Sequence, residues 1–182
     1  MVTTQRKLYF SEFAGATKHP TGGAVFFITV KGQVAQAYDP NEAPKIITHP
    51  GAVEDWTIEN RTQEVHEFHI HQIHFQVIAI NGVSIPPKKR QWYDTFQVPY
   101  WDGGSRKYPS ITVRMDFRGA VAGEFVYHCH ILDHEDAGMM ANILVTPNSP
   151  PKSGGAPSPT HQASGASGKV KKASVGGAAT RA

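Results

Sequence analysis

Apolar and polar positions alternate over most of the first 146 residues. Between positions 111 and 118, Ile111, Val113, Met115 and Phe117 take every second place, with Thr112, Arg114, Asp116 and Arg118 between them. A period of two lays the apolar set on one face of an extended strand. Shorter runs rich in aromatic and β-branched residues, closed by turn residues, predict further strands at 8–13, 24–30, 52–59, 76–80, 92–98, 124–129 and 140–145. Asn81-Gly82 directly follows one of them and is a strong hairpin signal. No helical period of useful length occurs, apart from a turn at 133–137. Many short strands at this spacing predict an all-β fold, a Greek-key β-sandwich or barrel.

The pattern stops at Pro147. From there to Ala182 the chain is almost entirely Pro, Ser, Gly, Ala, Thr and Lys, with no aromatic residue. Such a composition cannot bury enough apolar surface to offset its ordering entropy, so one domain is expected over 1–147 and a disordered tail over 148–182. The tail also accounts for the charge. The whole chain is +3 from 18 basic and 15 acidic residues, but five basic residues and no acid lie beyond Pro147. The remaining 13 against 15 leave the domain at −2, with no basic excess that would suggest a nucleic-acid partner. No apolar run approaches the roughly 18 residues of a membrane helix, and the first residues read as strand rather than as an export signal.

Chemistry concentrates in two short windows. Seven of the ten histidines lie in 65–75 and 127–140, and the second window also holds the sole cysteine. One cysteine permits no intrachain disulfide, which leaves Cys129 as a free thiol, a ligand or an intermolecular link. Strand parity sorts the candidates. His128 and His130 face one side and Cys129 the other; His69 and His71 share a face, and His66, three before His69, takes the opposite one. One group is therefore His69, His71, His128 and His130, enough imidazoles for one copper or for part of a larger cluster. The other is His66 with Cys129, to which a tight loop can return His134 and Met139.

Two imidazoles and a thiolate with a distant thioether describe a blue-copper electron-transfer centre. Zinc takes His and Cys too, but the single thiolate followed by Met favours copper. Spacing does not choose between Met139 and Met140. Met139 is taken as axial, because Gly138 allows close backbone approach and Met140 fits as the first core residue of the last strand. His74 reads as packing near the site, while His19, His49 and His161 read as non-ligands. Glu135 and Asp136, next to His134, read as helix-start acids, with a proton-relay role for one of them as the sharper alternative.

The pattern His66-x-x-His69-x-His71 followed by His128-Cys129-His130-x-x-x-His134-x-x-x-x-Met139 resembles the two C-terminal copper motifs of the multicopper oxidases, the laccase-like enzymes. Residues 7–12 and 94–99 are also similar to segments of that family's last cupredoxin domain, and the resemblance covers 6–147. It implies a cupredoxin-like, plastocyanin-like fold and copper as cofactor. His66, Cys129, His134 and Met139 would form a complete type 1 site. His69 would serve type 2, and His71, His128 and His130 type 3, a partial ligand set for those coppers. The resemblance further implies that electrons cross through Cys129, that Glu135 lies where the family delivers protons, and that dioxygen is reduced to water at the expense of a small reducing substrate.

Family members carry two further His-x-His motifs in an N-terminal cupredoxin domain, and neither is present here. An N-terminal domain or another chain is therefore the expected partner, and an exported, periplasmic or extracellular, location is what the family implies. A stand-alone blue-copper electron carrier and an inactive copper-binding remnant are the competing readings.

Overall fold

The computed structural model describes residues 1–14, 23–119 and 121–147. The expected tail, 148–182, lies outside the described residues, as do His19 and His161. Among the described residues twelve strands run in chain order: β1 (Thr4–Phe13), β2 (Val25–Val30), β3 (Ile46–Thr48), β4 (Val53–Asn60), β5 (His66–Ile70), β6 (Phe75–Ile80), β7 (Val83–Ser84), β8 (Trp92–Tyr93), β9 (Thr95–Val98), β10 (Ser110–Asp116), β11 (Gly123–Cys129) and β12 (Met140–Val145). A short α-helix, α1 (Leu132–Asp136), joins β11 to β12, and a 3-10 turn lies at Pro87–Lys89.

These strands form two sheets. The larger has the order β2-β1-β4-β10-β6-β7, with β8 also on β6; the smaller has β3-β12-β11-β5-β9. Pairing is antiparallel except for β1 with β4 and β3 with β12. The inward faces bury Leu8, Phe10, Trp56, Ile58, Phe68, Phe75, Val113, Tyr127 and Ile143 between the sheets. This is the all-β sandwich the alternation predicts, and Ile111, Val113 and Met115 are buried while Thr112, Arg114 and Asp116 stay half-exposed.

At the core's polar edge, both oxygens of the buried Glu54 are taken. Oε2 accepts from Arg6 Nε and Trp56 Nε1, each at 2.7 Å, and Oε1 accepts from Thr48 Oγ1 at 2.7 Å and Arg6 Nη2 at 2.9 Å. The hairpin at Asn81-Gly82 is present: both residues have positive φ, 50° and 78°, and Ile80 faces Val83. Positive φ at both central residues is the turn that matches the twist of paired strands.

Two local readings are corrected. The run 92–98 is not one strand: β8 pairs with β6 in the larger sheet and β9 with β5 in the smaller, so the chain changes sheets at Asp94. Local propensity is high on both sides of Asp94, and nothing in it records a change of partner. Met140 is not the first core residue of the last strand. It is half-buried and directly opposite His128, whereas Ala141 begins the buried set.

Candidate metal centre

Strand register builds the site. Across the smaller sheet Thr95, His69, His128 and Met140 stand opposite one another in a row over four strands, on the outward face. One residue along, Phe68 faces Cys129 on the inward side. The Cys129 N–H donates to the Met139 carbonyl at 3.0 Å, which brings the chain entering β12 alongside the cysteine. Met139 is fully buried, on the parity of Ala141. The two methionines therefore divide, Met139 to the thiol side and Met140 to the imidazole side.

On the inward side three side chains converge. His66 Nδ1 and His134 Nδ1 are 3.0 Å apart, and each lies 3.7 Å from Cys129 Sγ. An ion bonded at about 2.0 Å to nitrogen and about 2.3 Å to sulfur, as zinc is, holds N and S about 3.7 Å apart at 120°. The observed N···S spacings match that triangle, and the N···N pair is slightly closed. The donor set, two imidazoles, one thiol and a buried thioether nearby, is the softness that suits copper.

The other ring nitrogens are held from behind. His66 Nε2 lies 2.8 Å from the Thr62 hydroxyl, and His134 Nε2 lies 3.1 Å from Glu64 Oε2. Donating Nε2–H to these oxygens leaves both Nδ1 lone pairs aimed at the site, the arrangement by which outer partners orient metal-binding imidazoles. Thr62 is itself fixed, its N–H and hydroxyl both reaching Asn60 Oδ1 at 2.9 Å. Phe26 stacks on His134 with centroids 4.2 Å apart, and Phe10 covers His66 at 4.9 Å.

Burial decides protonation in this pocket. Desolvation, reinforced by the neighbouring His134, lowers the His66 pKa to about 3, so the ring is neutral at pH 7 and free to bind an ion. Burial pushes the Cys129 thiol up, although the Glu67 and Ile131 N–H groups oppose it. An entering ion must therefore displace a proton from sulfur.

Gly138 closes the loop. Its φ is +105°, and a Cβ placed there would stand 2.8 Å from the Ala37 Cβ. Its carbonyl accepts from the Tyr38 N–H at 3.1 Å. Glycine is required on both counts, backbone conformation and space.

The outward face gathers the second group. The ligand nitrogens of His69, His71 and His128 lie within 4.8 Å of one another. The His130 ring stands 5.0 Å from His69 and 5.6 Å from His128. Both His71 and His130 lie just beyond their strands, and Gln72, with φ 65°, turns the chain away after His71. His71 and His130 are exposed and His69 half-buried. Burial and the adjacent His128 lower the pKa of both His69 and His71.

Each anchored ring again presents one free nitrogen. His69 Nδ1 reaches the Asp94 carbonyl at 2.9 Å and Thr95 Oγ1 at 2.8 Å. His128 Nδ1 reaches the Cys129 carbonyl at 2.9 Å and Glu135 Oε2 at 3.0 Å, and its Nε2 faces His71 Nε2 at 3.2 Å. Glu135 thus touches the imidazole face directly, from α1. His74 is exposed and lines a surface cleft with His69 and His71, and His49, which contacts the Pro50 carbonyl, follows Thr48, which pairs with Val145 at the opposite end of β12 from Met140.

Sequence reading overlooked the anchors Thr62, Glu64, Asp94 and Thr95. Thr62 has a local trace in the Asn60-Arg61-Thr62 turn chemistry, and Asp94 and Thr95 open the 94–99 segment that carries part of the family resemblance, with no sign there of their anchoring role.

A multicopper oxidase family model matches residues 16–149. The chain is 30% identical to a laccase of Bacillus subtilis, over 60% of this chain and 23% of that protein. It is 30% identical to a multicopper oxidase of Staphylococcus haemolyticus, over 65% of this chain and 25% of that one. It thus spans about a quarter of the length of the curated relatives it matches. Among solved structures, a multicopper oxidase from Campylobacter jejuni, described as a metallo-oxidase, superposes with a TM-score of 0.60 at 26% identity, over 80% of this chain and 30% of that one.

Proposed function

This chain belongs to the multicopper oxidase family as a laccase-like, cupredoxin-fold copper oxidoreductase domain, and from that premise we propose that residues 1–147 are the C-terminal domain of a longer oxidase. His66, Cys129, His134 and Met139 hold a type 1 copper. His69 contributes to a type 2 copper and His71, His128 and His130 to a type 3 pair, whose remaining ligands come from an N-terminal cupredoxin domain or another chain. Copper bound in these positions supplies one-electron redox chemistry, taking electrons singly from a small reducing substrate and passing them on for reduction of dioxygen to water.

What carries this reading is one peptide segment facing two ways. Cys129 Sγ points at the inward triangle while His128 and His130 belong to the outward face. The two ligand sets are joined through the backbone of adjacent residues alone, a continuous covalent path for electrons. Glu135, on the His128 Nδ1, keeps that ring in the tautomer with a free Nε2 and stands where a proton can be handed to the cluster face.

Copper loading of the purified chain tests the proposal. Intense blue absorption without oxygen consumption is expected, and oxygen consumption should appear only in a longer protein that includes the missing His-x-His pairs. Absence of the blue band overturns the type 1 assignment. Oxygen reduction by this chain alone overturns the half-cluster assignment.

A further inference from the structure

The two imidazoles of the thiol pocket are anchored by the same short loop, residues 61–65, but by chemically different groups. His66, fully buried, is held by the neutral hydroxyl of Thr62, itself only 3% exposed. His134 is the one residue of the pocket with surface left in contact with solvent, 8% against 0% for His66, Cys129 and Met139. Its outward nitrogen is capped by the Glu64 carboxylate, whose side chain is 54% exposed. A hydroxyl orients a ring and leaves the charge of the pocket unchanged; a carboxylate orients the ring and adds a negative charge.

Resting on the type 1 reading above, we propose that Glu64 is the positioning residue that sets the reduction potential of this site. Its negative charge, delivered through the His134 Nε2–H bond, favours the more positive cupric form over the cuprous form and so lowers the potential. Thr62 performs only the orienting half of that task on His66. The chain thereby couples the potential of a buried site to a surface carboxylate at the pocket's solvent-touching edge, whereas the Glu67 and Glu135 carboxylates act on the Cys129 sulfur only through their charge.

Glu64→Gln isolates the charge, since the amide oxygen can still accept from His134 Nε2–H and the position is exposed enough to tolerate it. In a mediator titration of the copper-loaded chain, Glu64→Gln should shift the oxidised-to-reduced ratio about tenfold toward the reduced form, a rise of about 59 mV for one electron. The blue band should persist, and Glu64→Asp should return the ratio toward wild type. A ratio within twofold of wild type in Glu64→Gln, with the band intact, overturns the proposal.

The anchoring is read separately in the metal-free chain by imidazole 15N NMR. His134 should be the Nε2–H tautomer in wild type and in Glu64→Gln, and mixed in Glu64→Ala; an unchanged tautomer in Glu64→Ala also overturns the proposal. Failure of wild type to develop a blue band leaves this second measurement standing and counts against the type 1 reading instead.

Discussion

Two clusters of candidate metal-binding side chains sit back to back on one sheet, and they differ in how far the chain encloses each. The inward set is closed: His66, Cys129 and Met139 are fully buried, His134 nearly so, and a separate loop locks both rings. The outward set is open: His71 and His130 are exposed, and only His69 and His128 have their second nitrogens tied down by Asp94, Thr95, Cys129 and Glu135. A pocket whose ligands, anchors and walls all come from one domain can form alone. The imidazole face, by contrast, combines a buried His128 and a half-buried His69 with the exposed His71 and His130, and so is only partly walled by this chain.

The sharpest way to break this contrast is to remove one side and read the other. Cys129→Ser should abolish the blue absorption entirely while the electron paramagnetic signal of copper on the imidazole face remains; His71→Ala with His130→Ala should do the reverse. Loss of both signals in either variant would make the two sets a single unit.

A smaller effect is expected from the anchors. Thr62→Val leaves a buried His66 N–H without a partner and should weaken copper binding to the thiol pocket by roughly 10–100-fold, the usual cost of losing such a partner. Thr95→Val, on the open face, leaves His69 the Asp94 carbonyl, so competition with a chelator should register a much smaller change there.

Gly138→Ala meets both a positive φ and the Ala37 side chain. It should destabilise the fold by about 1–3 kcal/mol in urea unfolding, and it should perturb the thiol pocket before the imidazole face, because Met139 follows immediately.

The smallest effect should not discriminate between the sites at all. Burial alone would raise the Glu54 pKa, but hydrogen bonds from Arg6, Thr48 and Trp56, with the Arg6 charge, hold it below its ordinary 4.5. Between the two values the unfolded chain binds a proton that the folded chain does not. This contribution to stability is therefore complete above about pH 4.5 and is lost as pH falls through the folded-state value. Glu54→Gln should flatten that acid limb of the stability profile and leave the relative behaviour of the two metal sites unaltered.

Much of the site was legible because strands have a strict period. Parity alone separated Cys129 from His128 and His130, and His66 from His69; the β5–β11 register sets His128 against His69, His66 lies 3.7 Å from the Cys129 sulfur, and the His130 ring lies 5.0 Å from His69. Met139 is fully buried, whereas Met140 shares the outward row with His128 and is no core residue. Residues 46–48 were passed over because a three-residue strand carries too little pattern to notice. The break at Asp94 was invisible for a different reason: a lone Asp between two stretches of similar propensity is too weak a turn signal, and only their partners tell the strands apart.

The sequence by itself determined the alternation that makes a sandwich, the identity of the donor atoms, and the side of the strand each one takes, because these depend on neighbours one to three residues away. Only the tertiary structure decided which nitrogen of each ring is free, that Thr62 and Glu64 stand behind His66 and His134, and that Asp94 changes sheets to reach His69. Those facts arise from contacts between segments distant along the chain, and a hydrogen bond across a fold leaves no period in the chain that makes it.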